Sequence, residues 1–368
     1  MIIFFSGFIL LYALVMGVLL TKWKVDSMDY LGPVPYASLI MPFRNEADIL
    51  HHTLESLRDL SIEEIIFCND QSEDNSREII QAYINKYDLE HWKLIDNNGI
   101  GKKAAVTTAV GISSHDLIFT TDADCTVTNE GVVHMLRSFI NHEIQMVCGP
   151  VSVNVGKSFL EKYQLAEWAS ISLVTNYFFK INKPLMCSAA NMAYRKSAFL
   201  GVGGYKHNEN ISSGDDEYLL KKITSKFGAK SIFYTNHPVA LVTTIPTTDL
   251  AIYLSQRARW AGKWKAHKQL SHAGTALLFF LFAVIQISSV LLLGHKLEYN
   301  LFFFVFWMAK SGVDFLVLGH VIKTYHRNIS FIEMIGVSVY HPLSVIVIGV
   351  FSIFVKNTWK GRVVLTKA

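Results

Sequence analysis

The 368-residue sequence predicts an α/β domain, a Rossmann-like parallel sheet covered by helices, joined to transmembrane helices. Short apolar runs alternate with helical patterns between residues 37 and 121. Two of those runs end in acidic residues, as expected where a parallel sheet presents its carboxyl edge to a ligand. Long uncharged stretches stand near both ends of the chain.

Residues 1–20 are almost uncharged, and about 20 residues at roughly 1.5 Å each match a bilayer core of about 30 Å. Lys22-Trp23-Lys24 follows, without the basic start or small-residue cleavage site of a signal peptide. A retained anchor over residues 1–22, with its carboxyl end in the cytoplasm, is therefore expected. Residues 37–41 read as a strand stopped by Pro42, and 48–57 as a helix. The next unit has a strand over 65–69, an acidic turn at 70–74 and a helix from 75 to about 87, with Ile79, Ile80, Tyr83 and Ile84 at helical spacing. Strands over 93–95 and 117–121 flank a helix over 102–110. The soluble domain is expected to span 36–268.

From about residue 273 the composition changes, with hydrophobic stretches over 275–293, 301–321 and 329–355. These predict a membrane domain over 273–356 with two to three true spans, followed by a basic tail over 357–368. Charge placement conflicts with three full crossings, and His341-Pro342 marks the last stretch as the re-entrant or interfacial one. Lys310 and Asp314 stand at i,i+4 inside the second stretch, a structural or a functional pair.

The composition is 51% hydrophobic and only 17% charged, too apolar for a purely soluble chain. The net charge of +4 makes no case for nucleic acid, so no nucleic-acid partner is expected. Cys68, Cys125, Cys148 and Cys187 form no C-x-x-C pair, which predicts reduced thiols rather than zinc or disulfides.

Three acidic clusters carry the chemistry: Asp70, Asp122-Ala123-Asp124 and Gly214-Asp215-Asp216-Glu217. Crowded carboxylates repel unless a cation sits among them, and hard oxygen ligands suit Mg²⁺ or Mn²⁺ carrying a diphosphate. Alternation in an extended segment would turn Asp122 and Asp124 to one side. Asn98-Gly99-Ile100-Gly101-Lys102 reads as a glycine turn opening a helix, where backbone N–H groups and Lys102 could meet phosphate. It lacks the spacing of a Walker A loop. Gln256, Arg259 and Trp260 fall on one helical face, with Arg257 directed elsewhere. Lys263, Trp264, Lys265 and Lys268 continue as an aromatic and basic approach to the membrane.

Read in order, Asp70, Asp122-Ala123-Asp124, Asp215-Asp216 and Gln256-Arg257-Ala258-Arg259-Trp260 resemble the motifs of a family 2 glycosyltransferase. The likeness is to the membrane-bound branch of cellulose, chitin and hyaluronan synthases, over about residues 36–265. It implies a GT-A fold and inverting transfer of a sugar from a nucleotide diphosphate donor, usually UDP-linked. Asp70 matches the contact to base and ribose, and Lys102 a lysine beside the nucleotide. Asp122 and Asp124 match the D-x-D pair, with Asp124 toward the metal. Asp216 matches the catalytic base, with Asp215 as its rival; Gly214 and Asp215 replace the Thr and Glu of the synthase form. Gln256 and Arg259 would face the diphosphate and Trp260 the acceptor. Cys187 and Ser188 open a segment resembling the small-residue acceptor strand, although Ala189 and Ala190 stand where Gly is usual, and a buried strand end is an equal reading. The anchors imply a lipid or lipid-linked glycan acceptor at the cytoplasmic face of the cell (inner) membrane. Transfer of one or a few sugars is expected ahead of processive synthesis. Metal-dependent nucleotidyl transfer and a non-catalytic membrane scaffold are the competing classes.

Overall fold

The computed structural model describes residues 1–27, 32–208, 214–262, 270–354, 358–359 and 362–363. Helix α1 (Ile2–Leu20) precedes β1 (Ala37–Phe43), α2 (Leu50–Arg58), β2 (Glu64–Asn69), α3 (Ser76–Tyr87), β3 (Trp92–Asp96), α4 (Lys102–Ile112) and β4 (Leu117–Thr120). Then come β5 (Cys125–Thr126), α5 (Asn129–Arg137), β6 (Met146–Cys148), β7 (Val151–Val153), α6 (Phe159–Lys180), β8 (Met192–Arg195) and α7 (Lys196–Gly201). The soluble domain closes with α8 (Asp215–Phe227), β9 (Ile232–Tyr234), β10 (Val242–Thr244) and α9 (Leu250–Ala261), and α10 (Leu270–Ser288), α11 (Leu297–Thr324) and α12 (Phe331–Phe354) follow.

The main sheet has the order β3-β2-β1-β4-β8-β6-β9, and β5-β10-β7 form a smaller one. Strands β1 to β4 are parallel as expected, but β8 runs antiparallel to both β4 and β6, so the sheet is mixed rather than parallel. Thr120 donates its hydroxyl to Ala189 O at 2.9 Å, which ties the start of β8 to the carboxyl end of β4.

Strand β1 also runs through Pro42 to Phe43 instead of stopping before it. Ile40 O accepts from Thr121 N, whereas Phe43 O accepts from Asp70 N, so Pro42, of the same parity as Ile40, faces the side that β4 has already left. No ladder donor is required there, which is where a strand tolerates proline.

Strands β1, β2 and β4 are buried on both faces, which explains their continuous apolar runs. Leu39, Met41, Ile65, Phe67 and Phe119 pack with α2, α3 and α5 on one face. Ile40, Ile66 and Ile118 pack with Ala105, Val106 and Ala109 of α4 and Leu219, Leu220 and Ile223 of α8 on the other.

Three helices, Ile2–Leu20, Leu297–Thr324 and Phe331–Ile353, are long and apolar enough to cross a membrane, and most of each stays outside the protein interior. Leu277–Leu292 is apolar but shorter. His341-Pro342 does not interrupt its segment, which is one unbroken helix. Proline at 342 cannot donate to the carbonyl of Ser338 four residues earlier. That oxygen instead accepts from the Lys310 ammonium at 3.1 Å, which removes the cost that would otherwise break a helix in lipid. Lys310 also pairs with Asp314 at 2.6 Å, and Asp314 accepts from Tyr12 of α1 and Ser338 of α12, each at 2.5 Å. The pair thus joins three helices. Helices α1, α11 and α12 pack on α6, and α12 packs on α9, so the bundle docks directly on the soluble domain.

Candidate active site

A cleft of about 1000 Å³ opens at the carboxyl edge of the main sheet. Because β2 and β4 both run parallel to β1, the turns after them and the start of α4 emerge on the same side. Asp122 and Asp124 line the cleft from the turn after β4, Lys102 from the first residue of α4, and Asp215 and Asp216 from the first turn of α8. Gln256, Arg259 and Trp260 enter from α9, and Cys187 and Ser188 from the chain leading into β8.

Asp122-Ala123-Asp124 is a turn, closed by Cys125 N donating to Asp122 O at 3.1 Å, and not the extended segment expected. Four-residue β4 ends too early for strand alternation to orient both carboxylates. The backbone and side chain of Asp124 are instead held by β10 and its exit: Thr244 Oγ1 donates to Oδ2 at 3.2 Å and Ile245 N to the carbonyl at 3.2 Å.

Lys102 lies 2.5 Å from Asp122 and 3.6 Å from Asp215, bridging two of the acidic clusters. Burial would lower its ammonium, but Asp122 and Asp215 outweigh that and raise it, so the cation is firmly held. Burial lowers the Arg259 guanidinium, opposed by attraction to Asp215, Asp122 and Asp216, which places it in the same field. Burial and then the charge of Asp122 raise the Asp124 carboxyl, with Cys125, Thr244 and Lys102 offsetting only part. A divalent cation would supply the missing positive charge there, and the oxygen donors suit Mg²⁺ or Mn²⁺. Among the described residues no three His, Cys, Asp or Glu side chains are placed to hold a metal ion together, so such an ion would rest on carboxylate plus diphosphate, the arrangement Mg²⁺ ordinarily takes.

Asp70 sits at the end of β2 but is fully buried and is not among the cleft-lining residues. Its Oδ1 accepts from Asn97 Nδ2 and Gly101 N, each at 2.8 Å. The glycine turn therefore spends the Gly101 N–H on Asp70 instead of offering it to phosphate. Gly101 has φ +90°, a conformation glycine adopts without strain, and the turn delivers Lys102 as the next residue. Asp70→Ala should lower the thermal unfolding midpoint, since stranding one buried donor costs about 1–3 kcal/mol. Asp70→Asn, which keeps the acceptor oxygen, should recover most of the loss in the same measurement.

Arg257 does not point elsewhere. It lines the cleft, its side chain only 5% exposed, with Nε and Nη2 on Glu167 Oε2 at 2.8 and 2.5 Å, Nη1 on Gln256 Oε1 at 2.5 Å, and its guanidinium 4.1 Å from the Trp260 ring centre. Glu167 and Trp168 of α6 escaped the sequence reading; their partners on α9 lie about ninety positions on, and no local pattern marks them. Ala189 and Ala190 also line the cleft, within a short 3-10 turn set by Asn191, whose amide donates to Pro150 O and Ala240 O at 2.8 and 2.7 Å. The four cysteines are free thiols. Lys263, Trp264, Lys265 and Lys268, and most of the 357–368 tail, lie outside the described residues.

The mixed sheet, with carboxylates and basic residues gathered at one edge, has the GT-A fold, and residues 38–202 match the family described as Glycosyl transferase family 2. The match takes in Lys102, Asp122 and Asp124 of the cleft. The probable glycosyltransferase YdaM of Bacillus subtilis (strain 168) is 25% identical over 249 residues, 65% of this chain and 57% of that protein. A poly-beta-1,6-N-acetyl-D-glucosamine synthase of Staphylococcus epidermidis is 30% identical over 137 residues, 36% of this chain and 33% of the synthase. The chain thus spans less than two thirds of the length of these curated relatives. The mannosyltransferase PcManGT from Pyrobaculum calidifontis, solved in complex with GDP-Man and Mn2+, shares the fold with a TM-score of 0.56 over 95% of this chain and 96% of its own, at 13% identity.

Proposed function

We propose that this chain is a membrane-anchored inverting glycosyltransferase that moves a sugar from a nucleotide diphosphate donor, a UDP-sugar foremost, to a lipid or lipid-linked glycan at the cytoplasmic face of the cell membrane. The observation that carries the reading is the meeting of Asp122, Asp124, Asp216, Lys102 and Arg259, drawn from four separate segments, in one cleft walled by helices that pack on the membrane bundle. Lys102 and Arg259 would offset the charge of the diphosphate. Asp216 would accept the proton of the acceptor hydroxyl as that oxygen attacks the anomeric carbon from the side opposite the leaving nucleotide. A Mg²⁺ or Mn²⁺ bound at Asp124, with Asp122 beside it, would supply Lewis-acid stabilisation of the departing diphosphate. The Mn2+ in the mannosyltransferase complex supports this choice of metal.

Membrane vesicles containing the chain should incorporate label from one member of a panel of radiolabelled nucleotide sugars, and the label should partition into the organic phase on lipid extraction. Chelation should abolish incorporation and added Mg²⁺ or Mn²⁺ restore it. No incorporation from any donor would overturn the reading. The likeness to a poly-beta-1,6-N-acetyl-D-glucosamine synthase supports a second reading, processive polymer synthesis, in which the label would collect in high-mass aqueous material.

A further inference from the structure

We infer that Glu167 and Arg257 form a positioning pair that sets how Gln256 and Trp260 meet the acceptor, an inference that rests on the glycosyltransferase reading and deepens it. Arginine only donates, so the Gln256 atom facing Nη1 at 2.5 Å is its oxygen. The amide is thereby oriented with its NH₂ as the end open to a ligand oxygen. Arg257 also lies 4.1 Å from the Trp260 ring centre and so covers one indole face, while Trp168 meets the same ring at 74° with centres 5.8 Å apart. The opposite indole face is left for a sugar ring, held at a fixed angle. Glu167 fixes Arg257 in turn. Its Oε2 takes two guanidinium N–H groups and its Oε1 takes the hydroxyl of Tyr253, one helical turn before Arg257. Both carboxylate oxygens are engaged, and the side chains of Arg257 and Glu167 are only 5% and 15% exposed.

A buried ion pair is an expensive way to hold α6 against α9, because desolvation consumes much of the Coulomb attraction and apolar side chains of like volume would serve as well. What apolar side chains could not do is orient an amide and cover an aromatic face with a planar cation. The pair therefore acts on the acceptor side of the cleft, through Gln256 and Trp260, and not on the acidic edge where Lys102 bridges Asp122 and Asp215.

The test compares the full-length wild type with Glu167→Gln, Arg257→Lys and the neutral double variant Glu167→Met/Arg257→Met. Three quantities are measured: binding of UDP with Mn²⁺, hydrolysis of the active nucleotide sugar with water as acceptor, and the KM for added lipid extract in sugar transfer. The two single variants should hold UDP binding and hydrolysis within about twofold and raise the KM by about tenfold, a loss of about 1.4 kcal/mol. The neutral double variant should fold with a thermal midpoint near that of the wild type and keep the raised KM. An unchanged KM in the single variants, UDP affinity falling in step with transfer, or a wild-type KM in the double variant would each overturn the inference. Absence of any transfer by the wild type would instead overturn the functional reading itself.

Discussion

Asp216→Asn should abolish measurable sugar transfer while leaving UDP binding within about twofold of the wild type, since a positioned general base contributes about 10²–10⁴-fold. Asparagine matches aspartate in size and keeps one acceptor oxygen, so packing at the start of α8 is preserved, but it cannot take a proton. Asp216 lines the cleft and is half-buried, whereas its neighbour Asp215 is buried and lies 3.6 Å from Lys102. The two positions should accordingly fail differently. Asp215→Asn weakens the hold on Lys102 and should lower nucleotide affinity, while Asp216→Asn should act on turnover alone. Calorimetric binding of UDP with Mn²⁺, set beside initial rates of transfer, separates them. Full transfer by Asp216→Asn would remove the base from the mechanism. A metal-dependent nucleotidyltransferase or a binding module would show no such split between turnover and affinity.

The second large effect is expected among the apolar helices. Asp314→Leu should sharply reduce the yield of folded protein, because it leaves the Lys310 ammonium, whose side chain is 1% exposed, without its carboxylate. Removing one partner of a buried pair costs about 3–5 kcal/mol. Lys310→Met/Asp314→Leu should recover most of the yield by removing both charges, yet it strands the Ser338 carbonyl that Lys310 had capped, at about 1–3 kcal/mol. Adding Pro342→Ala restores an N–H that can bond that carbonyl within α12, so the triple variant should exceed the double one in thermal midpoint. Size-exclusion profiles and unfolding midpoints of detergent-solubilised protein measure the series. A triple variant no better than the double one would contradict the capping role of Lys310.

The parts of the fold that could be read from residues alone are those with strong local pattern. Strands β1, β2 and β4 are mostly apolar runs, α3 carries apolar residues at helical spacing, and all four were located to within one to two residues. The reversal of β8 was not legible, since the contact that ties its start to β4, between Thr120 and Ala189, spans 69 positions. The same divide runs through the cleft. Asp122, Asp124, Asp216 and the Gln256-to-Trp260 helix stood out as motifs, and the structure brings them together. Asp70 stood out equally, yet it lies beneath the glycine turn and not in the cleft wall. Glu167 belongs to no motif, because a single carboxylate on a long helix acquires meaning only when Arg257 is folded against it. Pro42 and Pro342 misled for one reason: proline forbids a donor, and whether a donor was needed is decided by neighbours distant in the chain.

Helices α6 and α9 are both the walls of the chamber and the surface on which the bundle rests, and Tyr163 of α6 meets His341 of α12 at 3.1 Å. The walls of the cleft and the apolar helices are thus in direct contact. A host bilayer thinner or thicker than the spans prefer will change their tilt at a modest energetic cost, and that tilt bears directly on the aromatic wall opposite the acidic edge. Turnover in reconstituted vesicles should therefore peak at one acyl-chain length, making the enzyme a gauge of membrane thickness as well as a user of what the membrane presents.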